Sequence, residues 1–139
     1  MKDHAAILIH NDKNEFLFVK RSKFKKTLPN IWAFPSGTKE IEESIPETAV
    51  RESYEELGVN VEAERTLAIK ELTELQSTLH FVVCKIISGE PFIKDANEIQ
   101  EIEWLTFSQF FKKYSDSEIG HGLIFLRQNP QIWKEYSGD

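Results

Sequence analysis

The strongest constraint on the fold of this chain is a short segment that carries its own helix start and stop signals. Ser44 is a good N-cap residue, and Glu47, three residues later, completes a capping box. Pro46 falls in the first turn, where its missing N–H costs nothing. Gly58 can take the left-handed conformation that ends a helix. The segment therefore predicts a helix over residues 45–57.

The predicted helix is amphipathic, and its polar side is acidic. At about 100° per residue, its apolar side chains form one stripe: Val50, Tyr54 and Leu57. We expect Glu52, Glu55 and Glu56 on the opposite side, where the spacing of three and four residues makes like charges repel. Ser53 lies away from the centre of the apolar stripe, and we interpret it as a local variation in packing. A solvated acidic face is the common explanation of such a run, and a bound cation is the alternative.

The spacing of charged and glycine residues continues on both sides of this helix. It runs Gly37, five residues, Glu43, seven residues, Arg51-Glu52, two residues, Glu55-Glu56, one residue, Gly58 and Val59. At each of these positions the pattern matches the Nudix box, so the chain resembles the Nudix hydrolase family. The preceding WAFPSG stretch is also similar to the family, with Ser36 in place of a commoner glycine, and a turn is predicted at Ser36 and Gly37. The box occupies residues 37–59.

The other segments predict strands first and helices last. Strands are indicated over 5–10, 16–20, 61–72, 78–87 and 98–105. Thr106 with Gln109 predicts a capped helix through Lys113, and a last helical region is predicted from His121 with a break near Pro130. This order favours helices packed on a mixed sheet. The resemblance implies the same class, an α/β protein with the Nudix α/β/α sandwich, and one domain is expected over residues 1–139.

The resemblance implies a specific chemistry. Nudix enzymes hydrolyse a phosphoanhydride in a nucleoside diphosphate that is linked to a second group X. A divalent cation lowers the pKa of bound water and neutralises phosphate charge, and Mg²⁺ prefers oxygen ligands. Mg²⁺ is therefore the expected cofactor, with Mn²⁺ as the alternative. The implied ligands are Glu52, Glu55 and Glu56, together with the backbone carbonyl of Ser36 or Gly37.

Two further box residues have supporting roles by the same resemblance. Arg51 is expected to orient Glu43 or Glu52, because the planar fork of an arginine suits paired carboxylates. Glu43 is expected to support the site and not to act as the main ligand. A simple surface salt bridge between residues four apart is the alternative for Arg51.

The general base has two candidates. Glu52 lies within the box, and Glu98 lies in a loop before a predicted strand, where it can reach the attacking water. Glu98 is preferred over its neighbours Glu101 and Glu103, which would share one face of the strand. For each acid outside the box, plain solvent exposure is the alternative.

Substrate contacts are expected from a basic loop and from aromatic residues before the box. Arg21 ends the second predicted strand, at a position where related enzymes hold a substrate phosphate, and three lysines follow it: Lys23, Lys25 and Lys26. Such cations can focus an anionic ligand. Trp32 and Phe34 are candidates for stacking on a nucleobase, although most aromatic residues in a small domain belong to its core. Subclass signatures for dinucleoside polyphosphates and ADP-ribose are missing. The short length and the WAFPSG segment favour a MutT-like pyrophosphatase of (d)NTPs or oxidised dNTPs.

Charge and cysteine content limit the partners. The formal net charge of −6 makes binding to a nucleic acid backbone unfavourable, so the expected partner is a small nucleotide diphosphate derivative. The apolar run Ala5–Ile9 is too short for a membrane span or a signal peptide. Cys84 is the only cysteine, so no intrachain disulfide forms, and a reducing, cytoplasmic location is expected. A homodimer agrees with the resemblance, since family members are often dimers.

Two alternative functions stay open at this point. One is a Nudix fold used as a non-catalytic nucleotide-binding or regulatory module. The other is a pyrophosphohydrolase of RNA 5′ ends, which would use the same chemistry on a different substrate.

Overall fold

The structure, a computed structural model, describes residues 1–136 and contains one mixed seven-stranded sheet with three α-helices. The strands are β1 (Lys2–His10), β2 (Phe16–Arg21), β3 (Trp32–Ala33), β4 (Ser36–Thr38), β5 (Asn60–Leu72), β6 (Ser77–Ser88) and β7 (Ile99–Leu105). The helices are α1 (Ile45–Leu57), α2 (Phe107–Lys113) and α3 (His121–Gln128). Short 3₁₀ turns lie at Thr73–Leu75, Asp116–Glu118, Pro130–Ile132 and Lys134–Tyr136.

Strand β1 organises the sheet. It runs parallel to β6 along its whole length and pairs antiparallel with β4 near its start and with β2 at its end. Strand β2 carries β3 and β7, both antiparallel, and β5 pairs with the outer side of β6. Because β1 changes partner from β4 to β2, the sheet opens between these two strands. The carboxy-terminal half of α1 and the segment before β7 approach this opening.

Two hydrophobic cores cover the two faces of the sheet. Residues 5–9 of β1 are all buried, and alternate side chains point to opposite faces. Ala5, Ile7 and Ile9 belong to the core under α1, whereas Ala6 and Leu8 belong to the core that packs against α2 and α3. A strand buried on both faces is expected at the centre of a layered α/β fold. The predicted α/β/α sandwich with a mixed sheet flanked by helices is confirmed.

The local signals for helix ends are confirmed. Ser44 accepts a hydrogen bond from the backbone of Glu47 in a complete capping box, and Gly58 ends α1 with φ 64°. Thr106 and Gln109 form the predicted capping box of α2. The predicted strands are each within a few residues of the observed bounds. The predicted turn at Ser36 and Gly37 is wrong, because these residues form β4 against β1.

The predicted orientation of α1 is also wrong. Val50 and Tyr54 are exposed, whereas the buried side chains are Thr48, Ala49, Ser53 and Leu57. Ser53 lies within this buried face, and its hydroxyl donates to the Ala49 carbonyl at 2.8 Å. The helix is therefore rotated relative to the prediction, which brings Glu52 and Glu56 to the border of the core. No helix in residues 1–136 has the length and hydropathy needed to cross a membrane.

Candidate active site

A charged cavity of about 550 Å³ lies at the opening of the sheet. Four parts of the chain meet there: α1, β4, the loop after β2 and the segment before β7. The acidic side chains in its wall are Glu52, Glu55, Glu56, Asp95 and Glu98. The basic ones are Arg21 and Lys25, with His4 beside them. The cavity thus combines a carboxylate cluster on one side with cations on the other.

Arg51 connects three of the carboxylates on and before α1. Its Nε and Nη2 atoms donate to the two oxygens of Glu43 at 2.6 and 2.9 Å, which is a bidentate pair. Its Nη1 atom donates to Glu52 at 2.6 Å and to Glu55 at 3.2 Å. Nη2 also donates to the carbonyl of Thr38 in β4, at 3.1 Å. The guanidinium therefore fixes both Glu43 and Glu52 relative to the sheet, and these acids raise the pKa of Arg51 further above its usual value.

Glu43 faces Arg51 and not the cavity. Its carboxylate also accepts bonds from the Thr48 hydroxyl at 2.7 Å and from the Glu40 backbone at 3.1 Å. The hydrogen bonds from Arg51, with smaller contributions from Thr48 and Glu40, lower the pKa of Glu43 to about 2. These donors stabilise the ionised form of Glu43, and its carboxylate holds Arg51 in place.

Gly37 makes room for Glu52. A Cβ atom at position 37 would lie 2.2 Å from the Cγ and Cδ atoms of Glu52, far inside van der Waals contact. Only a residue without a side chain lets the carboxylate rest directly against β4. Pairing of Gly37 with Ala5 of β1 fixes this strand in the sheet. The close approach of the β4 backbone to the Glu52 carboxylate is thus built into the sheet and not into a turn.

Glu56 is half-buried in the wall of the cavity. Burial raises the pKa of its carboxyl group, and a hydrogen bond and negative charge from Glu52 raise it further, followed by the charge of Glu98. Lys25 opposes the shift. The ionised form of carboxylates that are shielded from water and repel one another is unfavourable unless a cation lies between them.

Glu98 lies in the same cavity as the acids of α1. Its carboxylate pairs with the Lys25 ammonium at 2.6 Å. The two competing acids lie elsewhere: Glu101 pairs with Lys20 at 3.4 Å, and Glu103 accepts a bond from the Tyr114 hydroxyl at 2.6 Å. Of the three acids before Trp104, Glu98 is thus the one that faces the acids of α1.

The predicted substrate residues divide into two groups. Arg21 lines the cavity, but its guanidinium also donates to the carbonyls of Leu28 at 3.1 Å and Thr27 at 2.8 Å. Phe34 lines the cavity with little exposed surface and stacks on Phe18. Trp32 is buried beside Tyr114 and lies outside the cavity wall, which favours a core role for it.

Two residues in the wall were not singled out by sequence reasoning. His4 reaches the cavity because β1 pairs with β4, and its Nδ1 atom lies 3.1 Å from the Thr38 hydroxyl. Asp95 accepts bonds from the backbone of Asn97, Glu98 and Ile99, and so shapes the turn that carries Glu98. An Asp-x-Asn turn directly before a strand is the one sequence signal for it. No local signal marks His4.

The donor set fits a hard divalent cation. Glu52, Glu55 and Glu56 line the cavity with carboxylate oxygens that could hold such an ion, and β4 has backbone carbonyls beside them. Within residues 1–136, no three acidic, histidine or cysteine side chains are already gathered into a closed metal cage. The carboxylates of Glu52 and Glu55 are paired with Arg51. The gathering of Glu52, Glu55 and Glu56 in one cavity wall is the observation that supports a cation here.

Known proteins resemble this chain in sequence. A family profile described as NUDIX domain matches residues 2–124. A peroxisomal coenzyme A diphosphatase of Caenorhabditis elegans, ndx-8, is 31% identical over 117 residues, which are 78% of this chain and 50% of that protein. A Homo sapiens protein named nucleoside diphosphate-linked moiety X motif 6 is 29% identical over 103 residues, 68% of this chain and 32% of that protein. This chain therefore spans half or less of the length of these two relatives.

A solved structure resembles it in fold. The MutT protein of Methanosarcina mazei Go1 superposes with a TM-score of 0.71 at 22% identity, over 97% of this chain and 91% of that chain. At this identity the likeness establishes a shared fold.

Proposed function

Because the chain belongs to the Nudix family, we propose that it is a divalent-metal-dependent pyrophosphohydrolase. Its substrate would be a nucleoside diphosphate linked to a second group X, and the broken bond would be the phosphoanhydride. The observation that carries this proposal is the cavity in which the acids of α1 face Glu98, Arg21 and Lys25.

The side chains divide the work as follows. Glu52, Glu55 and Glu56 would hold Mg²⁺ or Mn²⁺ with a carbonyl of Ser36 or Gly37. The ion, when bound, supplies charge neutralisation on the phosphate oxygens and makes water more acidic. Arg51 and Glu43 would position the metal ligands. Glu43 holds Arg51, and Arg51 in turn bonds to Glu52 and Glu55 in the cavity wall.

Residues outside α1 would take part in proton transfer and phosphate binding. Glu98 would accept a proton from the attacking water at a carboxylate oxygen, and Glu52 is the competing base. Lys25 holds Glu98 at 2.6 Å and so sets its position. Arg21 would contribute positive charge to the diphosphate from the edge of β2.

The identity of X is a finer proposal. The C. elegans relative is named as a coenzyme A diphosphatase, which adds coenzyme A to the (d)NTPs and oxidised dNTPs favoured from the sequence. A non-catalytic module is disfavoured because all the box acids are present and three of them, Glu43, Glu52 and Glu55, share Arg51. An RNA 5′-end substrate is disfavoured by the net charge of −6. A single domain over 1–139, a homodimer and a cytoplasmic location stay predictions.

The test is a turnover assay on a substrate panel. Phosphate and nucleotide products are quantified with Mg²⁺, with Mn²⁺ and with EDTA for coenzyme A, ADP-ribose, dNTPs, 8-oxo-dGTP and capped RNA. Glu56→Gln should lower kcat by at least 100-fold, and Glu98→Gln by about 100-fold or more. Glu90→Gln, on an exposed turn outside the cavity, is the matched control and should keep wild-type kcat. Binding of panel members without turnover would contradict the proposal and support a non-catalytic module.

A further inference from the structure

A second cavity opens beside the charged one and differs from it in chemistry. Its volume is about 200 Å³, and four residues line both cavities: His4, Arg21, Phe34 and Ser36. Beyond this shared wall its surface is mainly aliphatic, with five leucines: Leu28, Leu72, Leu75, Leu79 and Leu123. Among residues 1–136, no carboxylate and no lysine lines it. A ligand that reaches both cavities therefore meets charge at one end and hydrocarbon at the other.

Two of the leucines form an exposed rim. Leu28 lies on the loop after β2 and is 42% exposed, and Leu75 lies at the tip between β5 and β6 and is 54% exposed. A single exposed leucine needs no explanation. Two that come from separate loops and border one apolar cavity indicate a surface that a ligand covers.

The backbone of both loops is held in an unusual conformation. Leu28 has φ 48° and Gln76, next to Leu75, has φ 51°. Positive φ is unfavourable for a bulky residue such as leucine and persists only where the surroundings enforce it. Arg21 enforces it here through bonds to the carbonyls of Leu28 and Thr27. The same guanidinium that borders the charged cavity thus places Leu28 on the rim of the apolar one.

The floor of the second cavity is closed by α3. A Cβ atom at Gly122 would lie 3.3 Å from side-chain atoms of both Leu79 and Phe81, so the helix approaches β6 closely. Leu123 packs in the core at 1% exposure. The floor is therefore rigid, and adaptation to a ligand is left to the two rim loops.

We propose that this apolar cavity binds an uncharged, aliphatic part of group X while the diphosphate lies in the charged cavity. The inference rests on the proposed function. Recognition of a nucleobase relies on aromatic faces and on polar groups that meet the base edges. In these walls five leucines and two alanines predominate over one phenylalanine, two histidines, two serines and Arg21. Pockets that enclose whole ligands measure about 300–1,000 Å³, so a cavity of about 200 Å³ fits a short chain and not a nucleoside. The nucleotide half then extends from the charged cavity in another direction.

The experiment compares two synthetic probes that share the nucleotide and the phosphoanhydride. They are the β-hexyl and the β-methyl esters of ADP, and calorimetry with Ca²⁺ in place of Mg²⁺ measures their binding apart from turnover. Wild-type protein should bind the hexyl ester at least about tenfold more tightly than the methyl ester, because burial of added methylene groups favours binding. Leu28→Ala and Leu75→Ala should weaken binding of the hexyl ester and leave the methyl ester unchanged.

Two control variants accompany these. Leu28→Met keeps the side-chain volume and should retain the preference for the hexyl ester. Ile87→Ala removes an exposed apolar side chain that lies outside both cavities and should not change either affinity. Circular dichroism establishes that each variant is folded.

The outcomes separate this inference from the proposed function. A preference for the hexyl ester that the rim variants abolish supports the inference, even where neither ester is hydrolysed and the proposed activity fails. Equal affinities for the two esters would overturn it and leave the hydrolase proposal standing. Rim variants that weaken both esters equally would overturn it in favour of a nucleoside in this cavity.

Discussion

Substitution of Gly37 by alanine perturbs the site at its narrowest contact. The new Cβ atom would stand 2.2 Å from Glu52, whereas ordinary contact begins at 3.4 Å, so the side chain must move by at least 1.2 Å. A displacement of about 1 Å at a catalytic group can lower the rate about 100-fold. We therefore expect kcat to fall about 100-fold, with a weaker apparent affinity for Mg²⁺.

Stability should respond less than activity. Gly37 lies in β4 and is not among the residues with positive φ, so alanine fits the backbone and restricts the unfolded chain, which stabilises by about 0.4–1 kcal/mol. The displaced Glu52 loses its bond to Arg51, which costs about 1.5–3 kcal/mol because both groups are charged. The gain offsets part of this loss, so urea unfolding should give a free energy about 1–2 kcal/mol below that of wild type.

A double-mutant cycle identifies the cause. Glu52→Ala removes the atoms that Cβ would meet, so Gly37→Ala in that background should stabilise the protein and should not lower kcat further. Calorimetry for the melting temperature and steady-state kinetics on the best substrate measure both quantities. Additive losses of kcat in the two variants would refute the steric argument, because they would show that position 37 acts independently of Glu52.

Three further predictions concern the carboxylates and Arg51. Because Arg51 lowers the pKa of Glu43 to about 2, this pair stabilises the fold above pH 4.5. In urea unfolding, wild type should therefore be more stable than Glu43→Gln above pH 4.5, and this difference should disappear as pH falls from 4.5 to 2. Burial raises the pKa of Glu56, so the free energy of unfolding of the metal-free protein should fall as pH rises above 4.5. Glu56→Gln should make this fall smaller, and it should also reduce the rise in melting temperature that Mg²⁺ causes. Arg51→Lys should weaken Mg²⁺ affinity in calorimetry about 10–100-fold, while Arg65→Lys, on the surface beside Tyr136, should not. Unchanged Mg²⁺ affinity in Arg51→Lys would contradict its positioning role.

Local signals were sufficient for the helix ends and for the family. The capping box at Ser44 and the left-handed Gly58 each depend on neighbours within four residues, so the bounds of α1 could be read from the sequence. The capping box of α2 was predictable for the same reason. The box spacing is equally local, because it follows one helix and the strand before it.

The orientation of α1 was not predictable in this way. Periodicity favoured Val50 and Tyr54 as buried, because it counts apolar side chains and not the surface they meet. In the structure, the small residues Ala49 and Ser53 face the sheet, and Glu52 fits because Gly37 lacks a side chain. That contact joins residues fifteen positions apart and is specified by tertiary packing.

The opposite wall of the cavity is also a product of long-range pairing. His4 arrives through the pairing of β1 with β4, and Glu98 meets Lys25 across 73 positions of sequence. Sequence reasoning proposed Glu98 among three similar acids, and only the structure separates it from Glu101 and Glu103. For Trp32, sequence reasoning proposed stacking on a nucleobase, whereas in the structure its ring packs beside Tyr114.

The central claim is that the acids of α1 support metal-dependent hydrolysis of a phosphoanhydride. The most direct measurement is product analysis by mass spectrometry after incubation of the substrate panel in ¹⁸O-labelled water, with Mg²⁺ or with EDTA, for wild type and for Glu55→Gln/Glu56→Gln. The account predicts a cleaved diphosphate with one ¹⁸O atom in a phosphate product, only with the metal and only with the intact acids. Equal product formation by the double variant would contradict it, as would the absence of cleavage for every panel member that binds.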